Sequence, residues 1–435
     1  MADRPLNLIV VISHDLGQHM GCYGAPDVRT PHFDAFAASG HRFANHFCTA
    51  PQCSPSRAAL WTGRHPHANG VVGLAHSGFA NDLHPDERHL AQLLAQAGYD
   101  THLFGGQHVS PRPRRCGFQH IHGKTSCTDV APDVVEFLET RATGGDGPLF
   151  LEAAFFEPHR PFLHKDVEPL DPASLTVLPY LPDIPEVRRD LAELEASCSS
   201  ADRAFGRIVE AVDRCGLADD TVVVYTVDHG IAFPHAKMTL YDPGIETALL
   251  LRIPGIGGGK VHEQLVSNVD VAPTLLELLG IDVPTNMQGR SFRGLLAGGD
   301  YQPRDAVFAE KTYHTYYDPM RCIRTERWKL IANFEFAPYQ ETSPDYDNNA
   351  RCYVEVAKAL AVARPQLYHP PYELYDLAAD PWEQTSLADD PAHAATRDAL
   401  IRRLSQWMRD TADPLLDGPM AQGCYRGRMA AFLGA

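Results

Sequence analysis

The feature that most constrains this chain is the alternation of short β-rich runs with helical segments across its first 280 residues. In order, the segments are strand 8–13, helix 86–97, strand 101–104, strand 149–156, helix 191–215, strand 221–227 and helix 271–279. Parallel strands need long crossover connections, which helices commonly supply. The alternation therefore predicts an α/β fold in which a mostly parallel sheet is sandwiched by helices.

The pattern changes after about residue 300. The stretches 320–331 and 372–377 have the composition of short antiparallel strands, and residues 391–411 are expected to form a helix. These features predict a smaller C-terminal α+β domain that carries a short antiparallel sheet. We expect the domains to be residues 1–300 and 301–435, with the second completing the substrate pocket.

Charge and composition argue against several classes of protein. The chain has 38 Lys and Arg against 55 Asp and Glu, a net charge of −17 that disfavours nucleic acid and anionic membrane partners. No apolar run is long enough for a membrane helix. Ten scattered cysteines include no Cys-x-x-Cys pair, and no secretory signal precedes the first strand. We therefore expect a cytoplasmic protein with reduced cysteines.

Histidine and aspartate occur at the ends of four predicted strands. The residues are His14, Asp15, His108, His159, Asp228 and His229. In open α/β sheets, binding sites lie beyond the carboxyl ends of the strands. One such pair is typical of a turn, but four together predict a functional site.

The most specific local pattern runs from Cys53 to Arg57. Ser54 is a good N-cap and Pro55 a good first helical residue, so we expect a helix to begin immediately after Cys53. The positive end of the helix dipole would then lower the pKa of the Cys53 thiol, and Arg57 would point its donors toward the same spot. The alternative is a structural cysteine beside a capped helix.

These residues resemble the signature of the formylglycine-dependent sulfatases, a family of the alkaline phosphatase superfamily. The pattern Cys-x-Pro-x-Arg is met at Cys53, Pro55 and Arg57. Further segments that resemble the family lie at 30–34, 269–276 and 373–383, so the resemblance spans nearly the whole chain. Within the family, residues 155–160 and 228–241 are most similar to the N-sulfoglucosamine sulfohydrolases.

The resemblance implies an alkaline phosphatase-like fold and a small anionic substrate. It also implies that a formylglycine-generating enzyme converts Cys53 to formylglycine. One hydroxyl of the hydrated aldehyde would attack sulfur, and the other would expel sulfate as the aldehyde re-forms. An unmodified thiol has no such exit route.

One divalent metal ion is also implied, with Asp15, Asp228, His229 and His14 as its ligands. The family commonly has Asp-Asp and Asp-Asn at these positions, whereas this chain has His14-Asp15 and Asp228-His229. The Asp-His pair resembles that of phosphonate monoester hydrolases. Ca²⁺ is the ion that the family implies, and it prefers oxygen ligands. Mn²⁺ or Zn²⁺ becomes at least as suitable if His14 or His229 is a ligand.

Three residues match family positions that hold the anion or protonate the leaving group: His108, His159 and Lys237. Lys237 is one of seven lysines and follows Asp228 by nine residues, which argues against a chance surface charge. We expect His108 to be the general acid, with an ordinary pKa of about 6.5. For His159, a structural histidine before a proline turn is the alternative.

One family charge is missing, because the usual Lys-x-His pattern is Gly106-Gln107-His108 here. Four cations could replace this charge in space: Arg112, Arg114, Arg115 and Lys124. His314 lies where the smaller domain would cover the pocket, and we interpret it as a substrate-binding residue. Aromatic packing between the domains is the alternative for His314.

Three functions are compatible with these patterns. The leading prediction is a hydrolase of sulfate esters or sulfamates. The second is a phosphodiesterase or phosphonate monoester hydrolase on the same scaffold, which Asp228-His229 and the missing lysine favour. The third is an inactive sulfatase-like binding protein, against which the complete motif from Cys53 to Arg57 argues. The patterns leave the oligomeric state open.

Overall fold

A computed structural model describes residues 5–143, 147–314, 316–336, 355–356 and 368–434. Eight strands form the larger sheet: β1 (Asn7–Ser13), β2 (His41–Phe47), β3 (Asp100–Gly105), β4 (His120–His122), β5 (Leu149–Ala154), β6 (Thr221–Val227), β7 (Leu249–Arg252) and β8 (Lys260–Ser267). Their order is β4-β3-β5-β1-β6-β7-β2-β8. Only β7 runs antiparallel to its neighbours, so the prediction of a mostly parallel sheet is confirmed.

Helices cover both faces of this sheet. One face packs against α1 (Pro31–Ser39), α5 (Cys127–Ala142) and α6 (Pro185–Arg214). The opposite face packs against α2 (Cys53–Thr62), α4 (Leu90–Gln96), α8 (Val271–Leu278) and α9 (Arg293–Ala297). The helices α3 (Pro66–Asn69) and α7 (Asp242–Ile245) are single turns. The central strands β1, β5 and β6 are buried along almost their whole length, as both-face coverage requires.

The helix predicted at 86–97 begins later, at Leu90. His89 is the reason, because its ring accepts a hydrogen bond from the Ala91 N–H while Gln92 accepts one from the His89 N–H. This reciprocal arrangement is a capping box. Histidine is not among the residues that usually form one, which is why the boundary was misplaced.

A second, four-stranded antiparallel sheet follows in the chain. Its order is β12-β11-β10-β9, formed by β9 (Ala306–Tyr313), β10 (Tyr317–Thr325), β11 (Trp328–Asn333) and β12 (Tyr372–Asp376). One face packs against α10 (Ala394–Asp410), and α11 (Gly423–Leu433) ends the described chain. The predicted short antiparallel sheet is thus present, while the boundary at residue 300 stays a prediction.

The two sheets share a hydrophobic core. Phe47, Cys48 and Leu240 of the larger part pack with Met320 and Cys322 of the smaller sheet. Among the described residues no two cysteines form a disulfide. No described helix combines the length and apolar character needed to cross a bilayer.

Candidate active site

The four strand ends singled out in the sequence converge. Strands β3, β5, β1 and β6 are consecutive in the sheet and parallel, so their carboxyl ends meet at one edge. This edge brings together His14, Asp15, His108, His159, Asp228 and His229. Cys53 joins them from α2, with its Sγ atom 3.2 Å from His229 Nε2 and 3.9 Å from Asp15 Oδ1.

Helix α2 begins one residue earlier than predicted, at Cys53 itself. Gln52 is the residue before the helix, with extended backbone at φ −148°, and Ser54 already lies inside it. The Ser54 hydroxyl therefore does not cap the helix and instead accepts a hydrogen bond from the Ala75 N–H. The expectation that Ser54 is the N-cap is wrong, although Cys53 does sit at the amino end of the helix.

The predicted lowering of the Cys53 thiol pKa is also wrong. Burial raises the pKa of this thiol well above its usual value, because a thiolate would lose its hydration and face the carboxylates of Asp228 and Asp15. The nearby cations Lys237 and Arg57 counter this effect only in part. A free thiol at this position would therefore remain protonated and be a poor nucleophile.

Two buried carboxylates define the centre of the site. Burial opposes ionisation of Asp228, but His229, His14 and Arg57 hold its pKa well below the usual range. Burial likewise opposes ionisation of Asp15, and Lys237 is the main group that lowers its pKa. The Asp15 N–H donates to Asp228 Oδ1 at 3.0 Å, which ties the two strand ends together.

The His229 ring is oriented as a metal ligand is. Its Nδ1–H donates to the Gly230 carbonyl at 3.0 Å, which leaves the Nε2 lone pair pointing into the cluster toward Cys53 Sγ. That Nε2 atom lies 3.2 Å from Asp15 Oδ1 and 3.6 Å from Asp228 Oδ1. A nitrogen lone pair held against two carboxylates is an arrangement that a cation would stabilise.

His14 adds a further nitrogen. Its Nδ1 atom lies 2.9 Å from Asp228 Oδ2, and burial, followed by the charge of Arg57, lowers the pKa of His14 to about 4. The ring is therefore neutral at physiological pH. Donor atoms of His14, Asp15, Cys53 and Asp228 all lie within 4.8 Å of one another. This buried set of oxygen and nitrogen donors fits a divalent cation.

Lys237 and His159 flank the Asp15 side of this cluster. The Lys237 ammonium donates to Asp15 Oδ2 at 2.7 Å and lies 3.3 Å from His159 Nε2. The next residue, Met238, has a left-handed backbone with φ 72°. Asp15 and His108 are left-handed as well, at φ 46° and 56°. Such conformations are uncommon for non-glycine residues and often mark functional sites.

His108 lies near the His14 ring and pairs with His76, a histidine that the sequence did not indicate. His108 Nε2 lies 2.6 Å from His76 Nδ1 and the two rings stack, while the His14 ring centre is 5.6 Å from that of His108. Burial and the nearby His14 and His76 rings lower the pKa of His108 well below 6.5, so the ordinary pKa expected for it is wrong. Nothing in the sequence around His76 pointed to this pairing, which joins segments 32 residues apart.

Three of the four proposed replacements for the missing lysine bind partners other than the strand-end residues. Arg112 pairs with Asp82, and Lys124 pairs with Asp133. Arg115 donates to the backbone carbonyls of residues 84, 85 and 87. Arg114 is exposed. A side chain at Gly106 would meet only Thr125 Cγ2, at 3.9 Å, so the position has room for one.

His314 is buried, with 2% of its surface exposed, immediately after β9. The preceding residue, Tyr313, accepts a hydrogen bond at 2.7 Å from the side chain of Gln52, the neighbour of Cys53. The end of β9 therefore lies against the amino end of α2. His314 follows Tyr313 directly in the chain, and its role in binding substrate stays a prediction.

Comparisons with known proteins agree with this geometry. A sequence model described as sulfatase matches residues 6–281, and one described as N-sulphoglucosamine sulphohydrolase, C-terminal, matches residues 229–350. Human N-sulphoglucosamine sulphohydrolase is 30% identical, with 96% of this chain and 92% of that protein covered.

Two solved structures share the fold. A 2-O GAG sulfatase has a TM-score of 0.74 at 22% identity, with 95% of this chain and 94% of that chain covered. Phosphonate monoester hydrolase of Agrobacterium radiobacter has a TM-score of 0.73 at 20% identity, with 95% and 97% covered. Sulfatases in general use a divalent metal and a formylglycine and act on sulfated molecules. This chain belongs to the sulfatase family and is a sulfuric ester hydrolase that cleaves sulfate esters or sulfamates.

Proposed function

We propose that this enzyme removes a sulfuryl group from a sugar, with an N-sulfated glucosamine as the preferred substrate, at a formylglycine made from Cys53. The observation that carries the proposal is the convergence of Asp15, Asp228 and His229 on the Cys53 sulfur atom. The preference for an N-sulfated sugar rests on the human N-sulphoglucosamine sulphohydrolase, to which this chain is similar over nearly its whole length.

The metal ligands would be Asp15, Asp228, His229 and His14. When bound, a divalent ion lowers the pKa of a hydroxyl nucleophile and neutralises charge that develops on the sulfuryl oxygens. Because the His229 and His14 nitrogens both face the carboxylates, we propose Mn²⁺ or Zn²⁺ rather than Ca²⁺ as the ion. Arg57, which lies 2.9 Å from Asp228 Oδ2, would keep that carboxylate ionised and oriented.

Lys237 and His159 would hold the sulfuryl oxygens. The Lys237 ammonium is buried and close to Asp15, so it needs no rearrangement to reach an anion beside that carboxylate. Positive groups fixed in place before the reaction stabilise the charge that grows in the transition state. A formylglycine-generating enzyme would be needed to convert Cys53 before the first turnover.

His108 would deliver the proton to the leaving group. Its Nδ1 atom is buried and has no hydrogen-bond partner among the described residues, while its Nε2 atom faces His76 Nδ1. The His108 ring starts neutral, because its pKa lies well below 6.5. If a protonated His76 gives its Nδ1 proton to His108 Nε2 while the His108 Nδ1 proton passes to the leaving group, the ring stays neutral throughout. His76 would therefore set the tautomer of the general acid.

A second candidate function is hydrolysis of phosphonate monoesters or phosphodiesters. The Asp228-His229 pair and the room left at Gly106 favour it, because a site without that lysine has less positive charge and more space. Its fold-level support is the phosphonate monoester hydrolase structure.

The test compares kcat/KM for N-sulfoglucosamine, an aryl sulfate and an aryl phosphonate monoester. Mass spectrometry of the Cys53 peptide establishes first that the thiol has been replaced by the lighter aldehyde, and Cys53→Ala is the inactive control. We expect kcat/KM to be greatest for N-sulfoglucosamine. A greater value for the phosphonate would favour the second candidate. Converted enzyme without turnover of any sulfated compound would overturn the proposal.

A further inference from the structure

We propose that Asp100, His102 and His120 form a second metal site, for Zn²⁺ or a similar divalent transition-metal ion, at the edge of the large sheet. These residues lie on β3 and on β4, the last strand of the sheet. His102 and His120 occupy paired positions on the two strands, so their rings lie side by side on one face. The site is separate from the carboxyl ends of the strands, where Cys53 lies, because Asp100 is the first residue of β3.

The donor atoms are spaced as a single ion requires. Asp100 Oδ2 lies 3.1 Å from His102 Nε2, and Asp100 Oδ1 lies 3.2 Å from His120 Nε2. Zinc bonds of about 2.0–2.2 Å in a tetrahedron place ligand atoms about 3.3–3.6 Å apart. All three donors lie within 4.8 Å of one another, and the exposed His120 side chain can turn to close the remaining gap.

His102 is held in the form that a metal ligand needs. Its Nε2 atom is buried and faces Asp100 Oδ2 at 3.1 Å. Burial lowers the pKa of the ring, and the contact with the Asp100 carboxylate opposes this shift only in part. On its other side, Nδ1 lies 3.4 Å from His122 Nε2, and Phe137 of α5 covers the ring at a centroid distance of 4.4 Å. A hydrogen bond from Nδ1–H to His122 leaves the Nε2 lone pair pointing at the site, as in metal-binding histidines.

One cation already contacts this cluster. Arg141 of α5 lies 3.1 Å from Asp100 Oδ2, the oxygen that also faces His102. The other oxygen, Oδ1, lies 3.2 Å from His120 Nε2 and would be the oxygen that binds the ion. The alternative is that Arg141 and the histidines simply neutralise Asp100, in which case no ion binds.

A metal ion bound at this site would hold strand β4 against strand β3. Strand β4 has three residues and pairs with β3 alone among the described strands. Ligands from both strands would cross-link them, and binding to the folded state alone raises stability with metal concentration. The mixed imidazole and carboxylate set selects Zn²⁺ and similar ions over Ca²⁺, which prefers oxygen ligands.

The test is a Zn²⁺ titration of the full chain after removal of metal with a chelator. Wild type, His120→Asn and a control variant, His84→Asn, are compared by calorimetry, with bound zinc counted after gel filtration. His84 is exposed and belongs to none of the possible metal clusters. We expect wild type and His84→Asn to bind one more equivalent than His120→Asn, and excess Ca²⁺ to leave that equivalent in place.

Two further readouts separate metal binding from a structural effect. Zn²⁺ should raise the Tm of wild type more than that of His120→Asn, and His122→Asn should keep the equivalent but weaken its binding by about 10- to 100-fold. Sulfatase activity of all variants should equal that of wild type, which shows that they are folded. Equal zinc stoichiometry in His120→Asn and wild type would overturn the proposal.

Discussion

Arg57 and Asp228 form a fully buried ion pair, in which the guanidinium Nε lies 2.9 Å from the carboxylate Oδ2. Further guanidinium nitrogens face the carbonyls of Ser13 and Gly106, at 3.4 and 3.5 Å. One side chain on α2 thus links the ends of β1, β3 and β6. Its planar fork makes contacts in several directions that a lysine cannot reproduce.

Replacement of Arg57 by lysine should therefore show whether the positive charge alone is enough or whether the planar guanidinium is needed. We expect Arg57→Lys to remain folded and to lower kcat/KM on the order of 100-fold, because Asp228 loses its orientation. Arg57→Ala should in addition lower the free energy of unfolding by about 3–5 kcal/mol, since it leaves a buried charge unpaired. Steady-state kinetics and urea unfolding measure the two effects. Arg189→Lys, at an exposed pair on α6, is the control and should match wild type.

Substitution of His229 should change the preferred ion. In His229→Asn an oxygen donor replaces the imidazole, so we expect activity of the chelated enzyme to be restored better by Ca²⁺ than in wild type. Wild type should recover best with Mn²⁺ or Zn²⁺. Metal content and activity are measured after dialysis against each ion. An unchanged order of ions in the variant would show that His229 is not a ligand.

A lysine can be introduced at Gly106, where the Lys-x-His pattern of the family has one. Gly106 has room for a side chain, with Thr125 Cγ2 at 3.9 Å as the nearest atom that a Cβ would meet. We expect Gly106→Lys to raise the ratio of kcat/KM for an aryl sulfate to that for an aryl phosphonate monoester. Gly106→Met, which adds bulk without charge, is the matched control. Equal ratios in the two variants would indicate that charge at this position does not determine the preference.

Gly105 should tolerate no side chain. Its φ is +102°, and a Cβ there would lie 2.0 Å from the Ala154 carbonyl oxygen on β5. Gly105→Ala should therefore destabilise the protein by about 1–3 kcal/mol or more, through the clash and the backbone strain. Gly123→Ala is the control, because a Cβ at Gly123 meets nothing within 4 Å. Thermal and urea unfolding of both variants give the comparison.

Glu373 should contribute stability that acid removes. Burial opposes its ionisation, but the nearby His369 imidazole and hydrogen bonds from Tyr375 and Asn333 lower its pKa from 4.5 to about 2. The contribution is complete above the unfolded pKa of 4.5 and is lost as the pH falls toward the folded pKa of about 2. A shift of this size corresponds to about 3 kcal/mol.

Unfolding of wild type and Glu373→Gln between about pH 6 and pH 2 tests this expectation. The stability advantage of wild type over Glu373→Gln should shrink as the pH falls. Gln384→Glu is the control, because it exchanges the same amide and carboxylate groups at an exposed position. An advantage that is constant with pH would contradict the assignment.

Sequence patterns were informative where neighbours along the chain decide the structure. The β-branched run of β6 was predicted with its exact bounds, Thr221–Val227, because a strand buried on both faces is apolar throughout. Strand β2 was not predicted, since His41 and His46 interrupt its apolar residues. Both histidines are buried and lie against distant partners, His262 and Thr247, which no local pattern can show.

The site also combines features that neighbours along the chain determine with features that distant residues determine. Its residue types and strand-end positions were visible in the sequence, because each lies next to a recognisable strand. The pKa of Cys53 was predicted in the wrong direction, because the helix dipole is local whereas the burial that dominates comes from the surrounding fold. The partnership of His108 with His76 was missed for the same reason.

The side chain of Gln52 donates a hydrogen bond to the Tyr313 carbonyl at the end of β9. Through this bond the small sheet helps to fix the position of the residue next to Cys53. Grafting the C-terminal part of another relative onto this chain would therefore also disturb the residues around Cys53. A foreign β9 that ends even slightly elsewhere would shift the residue next to Cys53 and misalign the nucleophile. Chimeras intended to change sugar preference should keep the Gln52 and Tyr313 contact as one unit.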